Sequence, residues 1–431
     1  MTERYDVIVV GAGFAGLAAA RELRHKGASV LVVEARDRVG GRTWTDHRLG
    51  RNLELGGTWV HWAQPHVWAE IQRYGLEIVA SPTPQRAVWR VGGRRHEGTP
   101  DELFGMLDAG MTRSLADARQ WFERPYEPLA CAGPDLEKLD GQSMSDRIDE
   151  LKLPPVEDEL LRGMWALNFN GPIERGAVTQ ALRWCAAASG SWQLLFEACG
   201  TYKLRAGTRA LAEAMAADVD AEIRLNTAVT RIEQDAGGVV VHTSSGAPLT
   251  ASDVVVTLPQ NILGSVDFRP ALSPVKQLAA EEGQTSEGLK VWIRVRGEVQ
   301  PFVFFGGPDE PLTYGQAEYT VDGDTLLVVF GPQASRLDVS DRSAVTEALH
   351  RYVPDLDIVD IDWHDWAGDP LSGETWGMQR PGQLTKCLHD LQTPEEHVHL
   401  AGSDYASGWA GFIDGAIESG VKAARRITAN R

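Results

Sequence analysis

The stretch YDVIVVGAGFAGLAAARELRHKGASVLVVEA, residues 5–35, decides the fold. Residues 5–10 are a short β-branched run of the kind that forms a buried parallel strand. GAGFAG follows at once, then a helical segment rich in alanine and leucine, then a second apolar run that ends in Glu34. In this order Gly11 makes the tight turn, Gly13 lets backbone approach a pyrophosphate, and Gly16 lets the helix pack closely on the strand. The helix N-terminus offers amide donors and the positive end of its dipole to phosphates. Glu34 stands where a carboxylate accepts hydrogen bonds from a ribose hydroxyl and repels a ribose phosphate. Glycines alone also mark ordinary turns, whereas strand, glycine loop, helix, strand and acid in succession predict a dinucleotide site. FAD and NAD are both open on these residues.

Around this segment, 431 residues fit two domains rather than one. A formal net charge of −18, with no basic block, argues against nucleic-acid binding, which needs Lys and Arg gathered on one face. Cys131, Cys185, Cys199 and Cys387 are scattered without CxxC spacing, so no zinc site or disulfide framework is expected and they read as core thiols. His397 and His399 alternate on one strand face without a third ligand nearby, so no metal is expected. The start, MTERYD, is charged, and no apolar run approaches the roughly 20 residues that span a bilayer; the expectation is a cytoplasmic protein without a membrane partner. There is no tandem repeat, no GxSxG elbow and no HExxH.

After Glu34 the chain reads ARDRVGGRTWT, residues 35–45, and this resembles the extended FAD fingerprint of the flavin amine oxidase superfamily, which NAD dehydrogenases lack. LELGGTWVH, residues 53–61, resembles that family's glycine pair against the flavin ring, where a side chain would collide. Residues 221–246 with DVVVTLP, residues 253–259, resemble the portion that returns to the FAD domain, and residues 397–427 resemble the closing strand, loop and helix. The resemblance implies a monoamine-oxidase-like α/β architecture. A doubly wound parallel-sheet FAD domain would comprise residues 1–79, 206–282 and 393–431. An α+β substrate domain, with helices and an antiparallel sheet, would comprise residues 80–205 and 283–392.

The same resemblance implies an FAD-dependent amine oxidase. It would pass a hydride from the carbon next to nitrogen to the flavin, leaving an imine, with oxygen or a redox protein as final acceptor and a homodimer as a possible assembly. Gly11, Gly13, Gly16, Glu34, Ala35, Arg36, Gly41, Arg42, Gly56, Gly57, Thr58, Trp59, Val229, Gly402, Ser403, Asp404, Gly411 and Ile413 are the implied cofactor residues. Ile413, at the start of the last helix, would aim its amide at a flavin carbonyl, where anionic charge develops on reduction. Lys290 lies in EGLKVWIRVRG, residues 287–297, whose alternation puts it on the outer strand face and makes a solvated lysine the ordinary reading. The resemblance instead makes it the lysine that holds a water beside the flavin's hydride-accepting nitrogen.

Family members sandwich the amine between two aromatic rings. Phe412 matches one position; the other falls in SGETWGMQRPGQ, residues 372–383, at Thr375 with Trp376 beside it. The paired tyrosines are absent, and Glu374 stands where covalent relatives carry the flavin-bonding cysteine, so FAD is expected to be non-covalent. Residues 56–78 resemble the bacterial nicotine-type enzymes more than the mitochondrial monoamine oxidases, with Trp59 and His61 as candidates for the pocket wall and Trp68 and Ile71 for the core. With Trp376, Trp59 and Trp409 near Phe412, a compact, largely apolar amine is expected. An amino-acid oxidase would need a pocket arginine, for which Arg183, Arg294 and Arg380 are candidates; a polyamine oxidase would need a distant carboxylate. A carbon–carbon desaturase would lack the lysine, and a non-enzymatic flavoprotein is the remaining alternative.

Overall fold

The computed structural model describes residues 4–429. Residues 1–3 and 430–431, the outermost parts of the segments assigned to the dinucleotide domain, lie outside the described residues.

Arg4–Val10 is an inner strand of an eight-stranded sheet, paired in parallel with Val30–Val33 on one side and with Leu249–Val256 on the other. Both faces are covered. Val7 and Val9 enter a core built with the helices Phe14–His25 and Ile413–Ala429, whereas Ile8 and Val10 enter a second core with Ala279, Cys387 and Leu391. This two-sided burial explains why the strand reads as an unbroken apolar run. The sheet is mainly parallel, as the sequence predicts, with one antiparallel member: Gly238–Thr243 runs antiparallel to both Val229–Asp235 and Leu249–Val256. The physical reason is the short link of residues 236–237, since a tight turn can join only antiparallel neighbours.

A second, seven-stranded sheet runs in the order Ile358–Trp363, Leu289–Val295, Asp324–Gly331, Tyr314–Val321, Phe302–Gly306, Arg86–Val91, Arg94–Gly98. It is antiparallel except where Phe302–Gly306 meets Arg86–Val91. Leu289, Val291, Ile293 and Val295 face one core and Trp292 another, so neither face of that strand is left to solvent. The solvated-lysine reading of the pattern is thereby overturned: Lys290 is 8% exposed. Cys185 and Cys387 are buried and Cys199 is half-buried, as core thiols should be, but Cys131 is exposed, in a turn where its Sγ donates to Trp121 O.

Indole N–H donors anchor the segment that follows the short strand Arg51–Glu54. Trp292 Nε1 donates to Glu54 O and Trp366 Nε1 to Leu55 O, both at 2.9 Å. These bonds fix the start of residues 55–58, which line a long cavity. Among the described residues no helix is long and apolar enough to cross a membrane.

Candidate active site

One end of the cavity is made largely of backbone. Gly11 sits at φ +102°, which L side chains rarely adopt, and a Cβ on Gly16 would stand 1.9 Å from Gly11 O, so strand and helix meet only because Gly16 has no side chain. A Cβ on Gly13 would meet nothing in the protein nearer than 3.8 Å, so the room it leaves belongs to the cavity. Glu34, 7% exposed, accepts from the amides of Ala12 at 2.7 Å and Arg36 at 2.8 Å, which fix the carboxylate and leave lone pairs for further donors. Gly11, Gly13, Glu34, Ala35, Arg36, Gly41, Arg42, Val229, Gly402 and Ser403 all line this end. An open glycine cradle, a helix N-terminus and an anchored acid together fit the FAD that the sequence resemblance implies.

Arg42 closes the wall beside it. Its guanidinium bridges Glu374, in a short contact, and Asp404, at 2.7 Å, and also donates to Ser403 Oγ at 2.9 Å. Burial works against the Arg42 cation, but the two carboxylates outweigh it and raise its pKa. Burial, reinforced by Asp404, pushes the Glu374 carboxyl far above its ordinary range, while at Asp404 the pull of Arg42 overcomes burial and lowers it. Asp404 faces this ion cluster and the Gln260 amide instead of the cavity, and Gly16 packs inside the protein, so these two assigned cofactor residues do not line the cavity.

Gly56, Gly57, Thr58 and Lys290 line the middle of the cavity. Lys290 Nζ donates to Gly56 O at 2.9 Å and to Thr58 Oγ1 at 2.6 Å, and lies 5.3 Å from the centre of the Trp59 ring. Burial pushes this amine down to about 7; Glu54 is the one carboxylate opposing that shift. Gly411, Phe412 and Ile413 line the cavity opposite, with Ile413 as the first residue of the last helix, whose first amides have no partner within the helix. Asp414, the next residue, turns away and caps another helix by accepting from His66 N and Val67 N.

The far end is aromatic. Trp59, Thr375, Trp376 and Phe412 line it, and the Thr375 hydroxyl is buried without a protein partner. Trp184, Phe196, Tyr314 and Phe330 complete the wall with Asn168 and Cys199, none of which the sequence singles out for this role. Their recognition needed tertiary contacts: Trp184 reaches Phe412 edge-on, with ring centres 5.5 Å apart, across more than 200 positions of sequence. Trp366, Leu371 and Ser372 likewise join the cavity near Arg36, although they belong to the segment assigned to the substrate domain.

Two candidates for the pocket lie elsewhere. His61 is fully buried and bonds to Glu197 at 3.1 Å, Trp409 packs behind Phe412, and neither lines the cavity. The three arginines proposed for a substrate carboxylate are also absent from the wall. Arg183 donates to Gln379, Ala406 and Ser407, Arg294 pairs with Asp324, and Arg380 donates to the carbonyls of Glu282 and Gly283. Among the described lining residues the ionisable acids and bases are Glu34, Arg36, Arg42 and Lys290, with Cys199 and Tyr314 as weaker acids. His397 and His399 share Asp253 as partner, and among the described residues no metal-binding group of acids, histidines and cysteines assembles.

Comparison with known proteins places this geometry. The family model described as flavin containing amine oxidoreductase matches residues 14–428. A pseudooxynicotine dehydrogenase from a Pseudomonas species is 37% identical, covering 96% of this chain and 84% of its own. The (S)-6-hydroxynicotine oxidase of Paenarthrobacter nicotinovorans is 32% identical, covering 98% of this chain and 99% of its own. A solved structure of putrescine oxidase bound to putrescine superposes with a TM-score of 0.88 at 25% identity, over the whole of both chains.

Proposed function

The chain belongs to the flavin containing amine oxidoreductase family and is an FAD-dependent amine oxidase, and from that premise we propose that it oxidises a compact, largely apolar secondary or tertiary amine of the nicotine type. The observation that carries the substrate reading is the composition of the far wall. Seven aromatic rings converge there with Lys290 as the nearby cation, and no carboxylate or guanidinium lines that end among the described residues. A diamine would bury its second ammonium without a partner, and an amino acid would bury a carboxylate without an arginine.

FAD supplies the hydride acceptor. In the proposed assignment Gly11, Gly13, Glu34, Arg36, Arg42 and Val229 hold its dinucleotide portion, and the Ile413 amide stabilises charge at the opposite end. Phe412, Trp376 and Thr375 align the amine and exclude water. Lys290 spends two donors on Gly56 and Thr58, so its remaining valence is available to a water in the cavity. Above a pH of about 7 that valence is a lone pair, and below it an N–H donor. The amine must reach the site with its own lone pair free, so turnover should rise with pH toward the substrate's pKa.

Glu374 at the position of the covalent cysteine supports non-covalent FAD. The thiol that does line the cavity, Cys199, is pushed up to about 12 by burial and so stays protonated and unreactive. The distribution of the two sheets supports a division into an FAD-binding unit (1–79, 206–282, 393–431) and a substrate unit (80–205, 283–392). A cytoplasmic setting, a homodimer, and oxygen or a redox protein as the final electron acceptor complete the proposal. A panel of amines assayed with both peroxide detection and a dye acceptor tests it: nicotine-like heteroaromatic amines should lead, and activity confined to L-amino acids would refute the substrate assignment.

A further inference from the structure

Tyr314, Gln316 and Glu318 of the strand Tyr314–Val321, the last at an irregularity in its pairing between Ala317 and Tyr319, carry a line of hydrogen bonds away from the cavity. The Tyr314 hydroxyl donates to Gln316 Oε1, and Gln316 Nε2 donates to one oxygen of Glu318, both in short contacts. The other Glu318 oxygen accepts from Ser81 Oγ at 2.9 Å and forms a close ion pair with Lys203 Nζ. A second, longer arm reaches the same carboxylate, because Trp59 Nε1 donates to Ser81 Oγ at 3.4 Å. Tyr314, Gln316, Glu318 and Lys203 are 8%, 5%, 3% and 4% exposed, so water does not compete for these bonds. Tyr314 and Trp59 line the cavity; Gln316, Glu318, Ser81 and Lys203 do not.

The direction of the line follows from the chemistry of its end. A carboxylate paired with a lysine only accepts, so the Gln316 amide must turn its NH2 toward Glu318 and its oxygen toward Tyr314. Tyr314 has one O–H, and it must then be spent on that oxygen. Trp59 has one hydrogen-bonding atom, its N–H, and it too points outward. What the cavity meets from these two residues is the lone pairs of a phenol oxygen and the face of an indole, both electron-rich.

We propose that Glu318, though outside the cavity, is a specificity-determining positioning residue: by drawing the Tyr314 O–H and the Trp59 N–H outward, it makes this wall accept hydrogen bonds and positive charge and refuse anions. The inference rests on the reading that this end of the cavity takes the amine. It accounts for how the wall can suit an amine without any acidic side chain lining it, and how it rejects a carboxylate without a like charge. A buried acceptor that meets another acceptor leaves both unpaired, which costs more than a missing contact.

The test uses benzamidinium and benzoate, flat ligands of one shape, the first a cationic donor and the second an anionic acceptor, neither with an oxidisable carbon beside an amine. Binding to the holoprotein is read from perturbation of the flavin absorbance. The wild type should bind benzamidinium more tightly. Gln316→Met, which frees the Tyr314 O–H to turn inward and leaves the Glu318–Lys203 pair in place, should narrow that preference by about tenfold, chiefly through tighter benzoate binding. Glu318→Gln, which lets the Gln316 amide reverse, should act in the same direction; should it fail to retain flavin, Gln316→Met alone decides. Adding Tyr314→Phe should abolish the benzoate gain, because the gain requires the hydroxyl. A preference unchanged in Gln316→Met, or a benzoate gain that survives Tyr314→Phe, would overturn the proposal. Wild-type protein that binds neither ligand at millimolar concentration would instead refute the reading of the cavity on which it rests.

Discussion

The two ends of the cavity are built on different principles. At the dinucleotide end the shape is set by main chain: Gly11, Gly13 and Gly41 make the room, Glu34 is fixed by two amides, and the helix that starts at Phe14 aims its N-terminus inward. At the amine end the shape is set by side chains from distant segments, with Trp59, Trp184, Tyr314, Phe330, Trp376 and Phe412 brought together only by tertiary packing. Substitutions at the first end should therefore be nearly all-or-none, whereas those at the second should grade the rate and the choice of substrate.

The largest effect is expected at Gly16. A side chain there has no flexible neighbour to displace, since Gly11 O is backbone, so Gly16→Val should destabilise the fold by more than about 3 kcal/mol and yield protein without flavin. Thermal melts and the visible spectrum of the purified variant measure both; a yellow, normally stable variant would mean that the strand and helix do not meet as described. Glu34→Ala comes next. Losing a charged acceptor costs about 1.5–3 kcal/mol, so flavin should dissociate roughly 10- to 100-fold more readily on dialysis, and FAD should appear in the supernatant when the parent protein is denatured by acid. Unchanged occupancy of the variant, or flavin that stays with the precipitate, would count against this end of the account.

How far each end was legible in the sequence follows from the same contrast. A backbone site writes itself into local sequence, because glycine spacing and a terminal acid are readable within some 30 residues, and residues 5–35 announced theirs. A side-chain site is assembled by topology. Nothing near Tyr314 or Trp184 distinguishes a cavity wall from an ordinary core, and His61 and Trp409 had the right residue types in segments next to the cavity but face the wrong way. Lys290 shows the limit most clearly: its strand alternates as a half-exposed strand does, yet Trp292 and Arg294 on its outer face are covered by residues 49–58. Only the resemblance to known enzymes, and not the pattern, marked it as buried.

Lys290 joins the two ends, and its substitution should have an intermediate effect of two kinds. Lys290→Met should slow reoxidation of the reduced flavin by oxygen by about tenfold or more in stopped-flow experiments while changing anaerobic reduction much less; a strong loss in reduction alone would reverse the assigned role. The same substitution should stabilise the protein near neutral pH. Burial holds this amine at about 7 against an ordinary 10.5, with Glu54 opposing the shift and Lys203 a neighbouring amine, so between those values the unfolded chain binds more protons than the folded one and stability rises with pH. The variant lacks this dependence. Its advantage in melting temperature should be greatest at or below pH 7 and should fade as pH approaches 10.5; an advantage that does not vary with pH would mean that Lys290 is not held neutral.

The smallest effects should be those that move substrate preference, and there the account is most directly exposed. The deciding measurement is the rate of anaerobic flavin reduction as a function of concentration for a nicotine-like cyclic amine, benzylamine, putrescine and an L-amino acid, which isolates the amine half-reaction from the identity of the electron acceptor. An aromatic wall that lacks both a distant carboxylate and an arginine should give the nicotine-like amine the highest specificity constant. Putrescine or the amino acid ahead by more than about tenfold, roughly 1.4 kcal/mol of transition-state binding, would contradict it.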